Sequence, residues 1–207
     1  MLLVGRDLSP FVRRCAITLR LYGLPFERAE YSTATQLEEI RRYNKLARVP
    51  ALVLDSGETL IDSTAILDYL DETVGERRLT PASGKERRQA LRVIFQALGV
   101  AEKTILHAYE RNPAMRDPAH RSESWLERIS LQAAGGLAAL ETELGEQEWF
   151  VGHRMTQADI TAAVVYDFVA FMLPDLLQRQ PCPQLGALCD RLSQQEAFRK
   201  TSLEQYR

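Results

Sequence analysis

The hydrophobic rhythm of this chain changes once, near residue 80, and that change limits the folds open to it. Before it, short apolar runs alternate with turn residues. From Lys85 onward, apolar residues recur almost continuously at helical spacing. Two domains, 1–78 and 85–207, are the simplest organisation, joined by an aperiodic stretch that collects Gly75, Thr80, Pro81, Ser83 and Gly84. In the first, Leu2-Leu3-Val4 reads as a strand ended by Gly5, and Ser9-Pro10 opens a helix. Val12, Cys15, Ala16 and Leu19 then fall at i, i+3, i+4 and i+7, one helical face. Ser9 suits the N-cap and Pro10 the first helical position, where a missing N–H costs nothing. Gly23 ends this helix and Pro25–Tyr31 supplies a second strand, so short a strand–helix–strand unit predicting parallel pairing.

A polar segment over Ala34–Tyr43 reads as helical. Val49–Leu54 and Thr59–Ile61, around an Asp-Ser-Gly turn, read as a hairpin, and Asp62-Ser63 precedes a helix carrying Ile66, Leu67 and Leu70. Beyond residue 80, Ala90–Ala108 and Leu126–Leu144 trace two long amphipathic helices. A third begins at Thr156-Gln157-Ala158-Asp159, a capping box with Asp in place of Glu, and shorter pieces follow over 184–192 and 195–201.

Composition excludes several functions. With 26 Lys+Arg against 28 Asp+Glu, a net charge of -2 leaves no basic footprint for nucleic acid or an anionic membrane. Cys15, Cys182 and Cys189 form no C-x-x-C pair, so neither a disulfide scaffold nor a zinc site is expected. Ile160–Leu173 is short of a membrane span and contains Asp167. A cytoplasmic protein without a bound metal follows as the expectation. G-x-G-x-x-G, G-x-x-x-x-G-K-[ST], H-E-x-x-H and G-x-S-x-G are all absent, which removes the dinucleotide, nucleotide, zincin and α/β-hydrolase signatures.

Three local features remain. Ser9-Pro10-Phe11-Val12 places a hydroxyl at the positive end of a helix, Val49-Pro50 stands directly before a strand, and Asp62-Ser63 sets a second hydroxyl at a helix start. Taken singly, each also has an ordinary reading as a cap or strand entry.

Together, and in this order, they resemble the glutathione S-transferases. Similarity runs through Ser9-Pro10-Phe11-Val12-Arg13-Arg14, Asn44-Lys45-Leu46-Ala47-Arg48-Val49-Pro50-Ala51-Leu52, Leu60-Ile61-Asp62-Ser63-Thr64-Ala65-Ile66 and Trp149–Asp159, covering essentially the whole chain. The resemblance, to bacterial-type cytosolic members with a serine-type site, implies a thioredoxin-like α/β domain followed by an all-α domain. It implies a detoxifying homodimer that conjugates the thiolate of glutathione, its co-substrate, to small hydrophobic electrophiles. Ser9 would donate a hydrogen bond to the thiolate, Val49 before Pro50 would pair with the cysteinyl unit, and Asp62 and Ser63 would hold the γ-glutamyl end. Arg48 would reach the glycyl carboxylate, and Phe11, His107 and Tyr109 would border the second substrate.

The chain departs from the family where Lys45 and Ala47 replace the proline and glycine common after the asparagine, a change that bears on the geometry of that loop. Cys15 is a rival nucleophile, but its place on the apolar face predicts an inert core thiol. A non-catalytic binding or regulatory protein of the same fold, or a dehalogenase, would carry the same motifs.

Overall fold

Four strands of three residues build one sheet: β1 (Leu2–Val4), β2 (Glu27–Ala29), β3 (Ala51–Val53) and β4 (Thr59–Ile61), in the order β2-β1-β3-β4. β1 pairs in parallel with β2, Leu3 opposite Arg28, because the intervening helix α1 (Pro10–Tyr22) returns the chain to the same end. β3 runs antiparallel to both β1 and β4. The hairpin turn closes where Leu54 N–H reaches the Glu58 carbonyl at 2.8 Å. Parallel pair and hairpin thus form as the sequence predicts.

α1 buries the apolar stripe read from its spacing: Val12, Cys15, Ala16 and Leu19 are all inaccessible. α2 (Leu37–Arg41) is half the length expected over 34–43, since Ile40 is the only residue of that polar helix that finds the core. α3 (Ser63–Val74) packs against α1 and the β3–β4 hairpin through Ile66, Leu67 and Leu70.

The helical unit contains α4 (Gly84–Arg111), α5 (Glu123–Leu144), α6 (Gln157–Met172), α7 (Pro174–Arg179) and α8 (Pro183–Ser193). α4 packs along both α5 and α6. Gly136 permits the first contact, because a methyl group there would sit 2.4 Å from Val100 Cγ2. α6 is buried on nearly every side and starts at the expected capping box of Thr156 and Asp159.

This computed structural model describes residues 1–206, which divide into Met1–Leu79 with the segment from Ser193, and Thr80–Leu192. The expectation of a single helical domain over 85–207 is therefore corrected. α9 (Glu196–Arg199) buries Ala197 and Phe198 and packs on α1 of the first unit. Helical spacing shows that a segment has an apolar side, not which neighbour covers it. Among the described residues no helix is long and apolar enough to cross a membrane.

Candidate functional site

Ser9 occupies the N-cap position of α1, with extended backbone, and its carbonyl accepts from Arg13 N–H at 2.9 Å. Its side chain makes no capping hydrogen bond. Among the described residues the hydroxyl has no side-chain hydrogen bond; it is half-exposed and next to the N–H groups and positive dipole end of a thirteen-residue helix. Of the two readings open in the sequence, side-chain capping is not the one adopted. Gly5 ends β1 at a φ of +120°, and a methyl group there would lie 2.6 Å from Val12 Cγ2 and 2.8 Å from Val49 Cβ. Only glycine lets the loop before α1, the first turn of α1 and the residue before Pro50 crowd together in this way.

The Val49–Pro50 peptide is cis. The loop before it is organised by Asn44, a buried carboxamide that accepts from Leu46 N–H at 3.0 Å and donates to the Arg48 carbonyl at 2.9 Å. Ala47 N–H closes back on the Asn44 carbonyl at 2.8 Å, with Ala47 in the left-handed region at φ +53°. This is the position where the resemblance expects glycine, and alanine bears the strain of a left-handed backbone there. Arg48 is exposed, Pro50 is buried, and among the described residues neither the N–H nor the carbonyl of Val49 is used in a turn or strand ladder.

Asp62 caps α3, its carboxylate accepting from Thr64 N–H at 2.8 Å, with φ +70° and ψ 132°. A non-glycine residue in that region stores roughly 1–3 kcal/mol of strain, a recurrent feature of functional sites. Ser63 follows at the first helical position, 2% exposed. Its Oγ accepts from Arg14 Nε at 3.0 Å and from Nη2 at 2.9 Å, and Nη2 also reaches Thr64 Oγ1 at 3.0 Å. Two donors fill both lone pairs of that hydroxyl, so what it has left to offer is its proton. Arg14, 1% exposed, is pulled below its ordinary pKa by burial, with Cys15 and Asp62 opposing, and remains a cation. Beneath Asp62-Ser63, the structure thus holds a hydroxyl proton, helix-start N–H groups and a buried positive charge, a combination suited to a carboxylate.

Cys15 lies under the same elements, its Sγ 3.8 Å from the Ser63 carbonyl oxygen. Burial pushes its thiol up to about 12, so it is not a thiolate at neutral pH. Phe11 is half-buried in the first turn of α1. His107 and Tyr109 belong to α4; two residues apart on a helix, they do not share a face. Burial, then Arg111 and Arg179, hold the His107 imidazole below its ordinary value. An open groove of about 520 Å³, bordered by Arg20, Leu24, Phe26, Glu196, Ala197 and Lys200, lies at the other end of α1 from Ser9. Among the described residues no cluster of three or more His, Cys, Asp or Glu is placed to hold a metal ion.

Sequence reasoning named the residues that present functional groups and passed over those that place them. Gly5, Arg14 and Asn44 were given no role. A glycine directly after a strand, and a charged residue beside the apolar stripe of α1, were the available signals.

Two family models match the chain, one described as the N-terminal domain of glutathione S-transferase, over residues 3–78, and one as the C-terminal domain, over 103–196. A glutathione S-transferase structure from Methylobacterium radiotolerans, in complex with glutathione sulfonate, is 32% identical with a TM-score of 0.90, covering 97% of this chain and 93% of that one. A glutathione transferase family member from Pseudomonas fluorescens with bound glutathione is 30% identical, with a TM-score of 0.85 and 97% of each chain covered. A maleylacetoacetate isomerase of Pseudomonas aeruginosa is 32% identical over 152 residues, 71% of each chain.

Proposed function

Because the chain belongs to the glutathione S-transferase family, we propose that it binds glutathione along Ser9, Val49–Pro50 and Asp62-Ser63 and turns its thiolate on small hydrophobic electrophiles. The observation that carries this reading is the uncommitted Ser9 hydroxyl at the start of α1. A free thiol with a pKa near 8.5 is only a few per cent thiolate at neutral pH, and the thiolate is the nucleophile. One hydrogen bond to a charged acceptor is worth about 1.5–3 kcal/mol, roughly one to two pKa units. The helix N-terminus adds to it. Serine donates without being deprotonated, so no partner base is required.

The rest of the tripeptide follows the free valences of the site. Val49 offers its unused N–H and carbonyl to the cysteinyl unit, as a strand edge would. The Ser63 proton and helix-start amides take the γ-glutamyl carboxylate, and the second Asp62 oxygen faces the ammonium. Arg48, exposed at the loop, is the proposed partner of the glycyl carboxylate. Phe11, half-buried in the first turn of α1, is proposed as a neighbour of the electrophile. A cytoplasmic homodimer belongs to the same reading, and sedimentation velocity measures the assembly.

Thiolate absorbance followed against pH tests the mechanism. Bound glutathione is expected to ionise below its free value, and Ser9→Ala to raise that pKa by about one to two units and lower neutral turnover about ten- to hundredfold. An unmoved titration in folded Ser9→Ala overturns the assignment.

A further inference from the structure

The loop that delivers Ser9 is gripped by a side chain from the neighbouring strand. Asp7 is a carboxylate only 2% exposed, and a charge so deep requires a partner. Arg28 of β2 supplies it: Nη1 donates to Asp7 Oδ2 at 3.0 Å, and Nη2 lies 2.9 Å from Oδ1. The same Nη2 donates to the Gly5 carbonyl at 2.9 Å. One guanidinium therefore holds the start and the middle of the turn between β1 and α1. Gly5 N–H to the Ala29 carbonyl at 2.8 Å and Ser9 N–H to the Arg6 carbonyl at 3.1 Å complete the loop.

Among the described residues, the other charged or titratable groups around Asp7 are the exposed Arg6, whose Nε donates to the Glu30 carbonyl at 3.4 Å, the exposed Glu30, 3.7 Å from Arg28, and Tyr206. Burial, then Asp7 and Glu30, push the Tyr206 phenol up, and the amides of Asp7 and Leu8 oppose this. Glu30 and Tyr206 do not neutralise the carboxylate and Arg6 is exposed with its Nε on the Glu30 carbonyl, so among the described residues Arg28 is the cation shown paired with Asp7.

We propose that Arg28, through Asp7 and the Gly5 carbonyl, is a positioning residue for Ser9 and shields the active-site thiolate from the Asp7 charge, without itself touching glutathione. This inference rests on Ser9 as the thiolate's hydrogen-bond donor. Asp7 is two residues from Ser9. Uncompensated, its charge disfavours a second anion nearby, and an unheld loop mis-aims the hydroxyl. Arg28→Met keeps the apolar stem and removes the charge and the donors. Arg28→Lys keeps the charge, but a single ammonium does not reproduce the planar reach to Asp7 and Gly5.

The experiment titrates the thiolate absorbance of bound glutathione in the wild type, Ser9→Ala, Arg28→Met and Arg28→Lys, alongside binding of S-methylglutathione, which has no thiol to ionise. Arg28→Met is expected to raise the thiol pKa by about one unit, a tenfold loss of thiolate well below that pKa, with S-methylglutathione affinity held within about twofold. Arg28→Lys is expected to shift it by about half a unit, with kcat lowered about threefold and KM unchanged. A folded Arg28→Met that titrates like the wild type while Ser9→Ala is shifted overturns the role of Arg28 alone. If Ser9→Ala is also unshifted, the serine mechanism falls with it. Should Arg28→Met fail to fold, a wild-type titration in Arg28→Lys overturns the proposal.

Discussion

Replacing Ser63 by alanine separates two duties of one oxygen. As an acceptor, Ser63 Oγ takes Arg14 Nε at 3.0 Å and Nη2 at 2.9 Å, and alanine withdraws it from a guanidinium that is 1% exposed. A hydrogen bond to a charged group is worth about 1.5–3 kcal/mol, and Thr64 Oγ1 still holds Nη2 at 3.0 Å, so a loss of about that size is expected. For a chain of this length it lowers Tm by about 3–12 °C. As the donor proposed for the glutathione carboxylate, the same hydroxyl would give up one charge-assisted bond, again about 1.5–3 kcal/mol, or about ten- to 150-fold in Kd. Urea denaturation reads the first effect and calorimetric titration with glutathione the second. A Ser63→Ala protein as stable as the wild type refutes the anchoring by Arg14. Unchanged affinity in the folded variant removes Ser63 from the binding site.

Ala47→Gly relieves a left-handed residue at φ +53°: about 1–2 kcal/mol of strain, less about 0.5–1 for the freedom of unfolded glycine, leaves a gain of about 0–1.5 kcal/mol. A lower urea midpoint contradicts it. Asp159→Ala strips acceptors from Phe150 N–H at 2.8 Å, Thr156 N–H at 2.7 Å and the Thr156 hydroxyl at 2.8 Å. Two buried amides left unpaired at about 1–3 kcal/mol each, less the recovered cost of burying a carboxyl, predict a loss of about 2–4 kcal/mol, above that of a simple cap. Burial holds that carboxyl above its ordinary range despite those bonds. The native state keeps this proton to a higher pH than the unfolded chain, so the contribution of Asp159 falls as pH rises above about 4, and thermal melts of Asp159→Ala should lack that slope. The Cys15 thiol, pushed up to about 12, works the same way at alkaline pH. Above about pH 8.5 only the unfolded chain ionises, and stability falls by about 1.4 kcal/mol per pH unit relative to Cys15→Ala; parallel urea curves for the two proteins at pH 9 and 10 contradict this.

Most elements and their buried faces were legible from spacing, the exceptions being α2, half its expected length, and α7, too short to show a period. Val12, Cys15, Ala16 and Leu19 of α1, Ile129, Ala133, Leu137 and Leu140 of α5, and the Thr156–Asp159 capping box stand where periodicity and capping chemistry put them, because these are interactions within a few residues. Ser9, Val49–Pro50 and Asp62-Ser63 were visible for the same reason: a helix start and a residue before proline announce themselves locally. How the groups at those positions are held was decided by contacts between distant residues. The Arg14–Ser63 pair spans 49 positions and the Arg28–Asp7 pair 21, and nothing in the spacing of either sequence segment specifies its partner. The terminal helix α9 shows the same limit, its apolar side encoded locally and its docking on α1 decided by which surface the rest of the first unit leaves open. Spacing determines which side of an element must be buried; only the folded chain determines what is buried against it, and so which hydroxyls are spent on structure and which, like that of Ser9, remain free for chemistry.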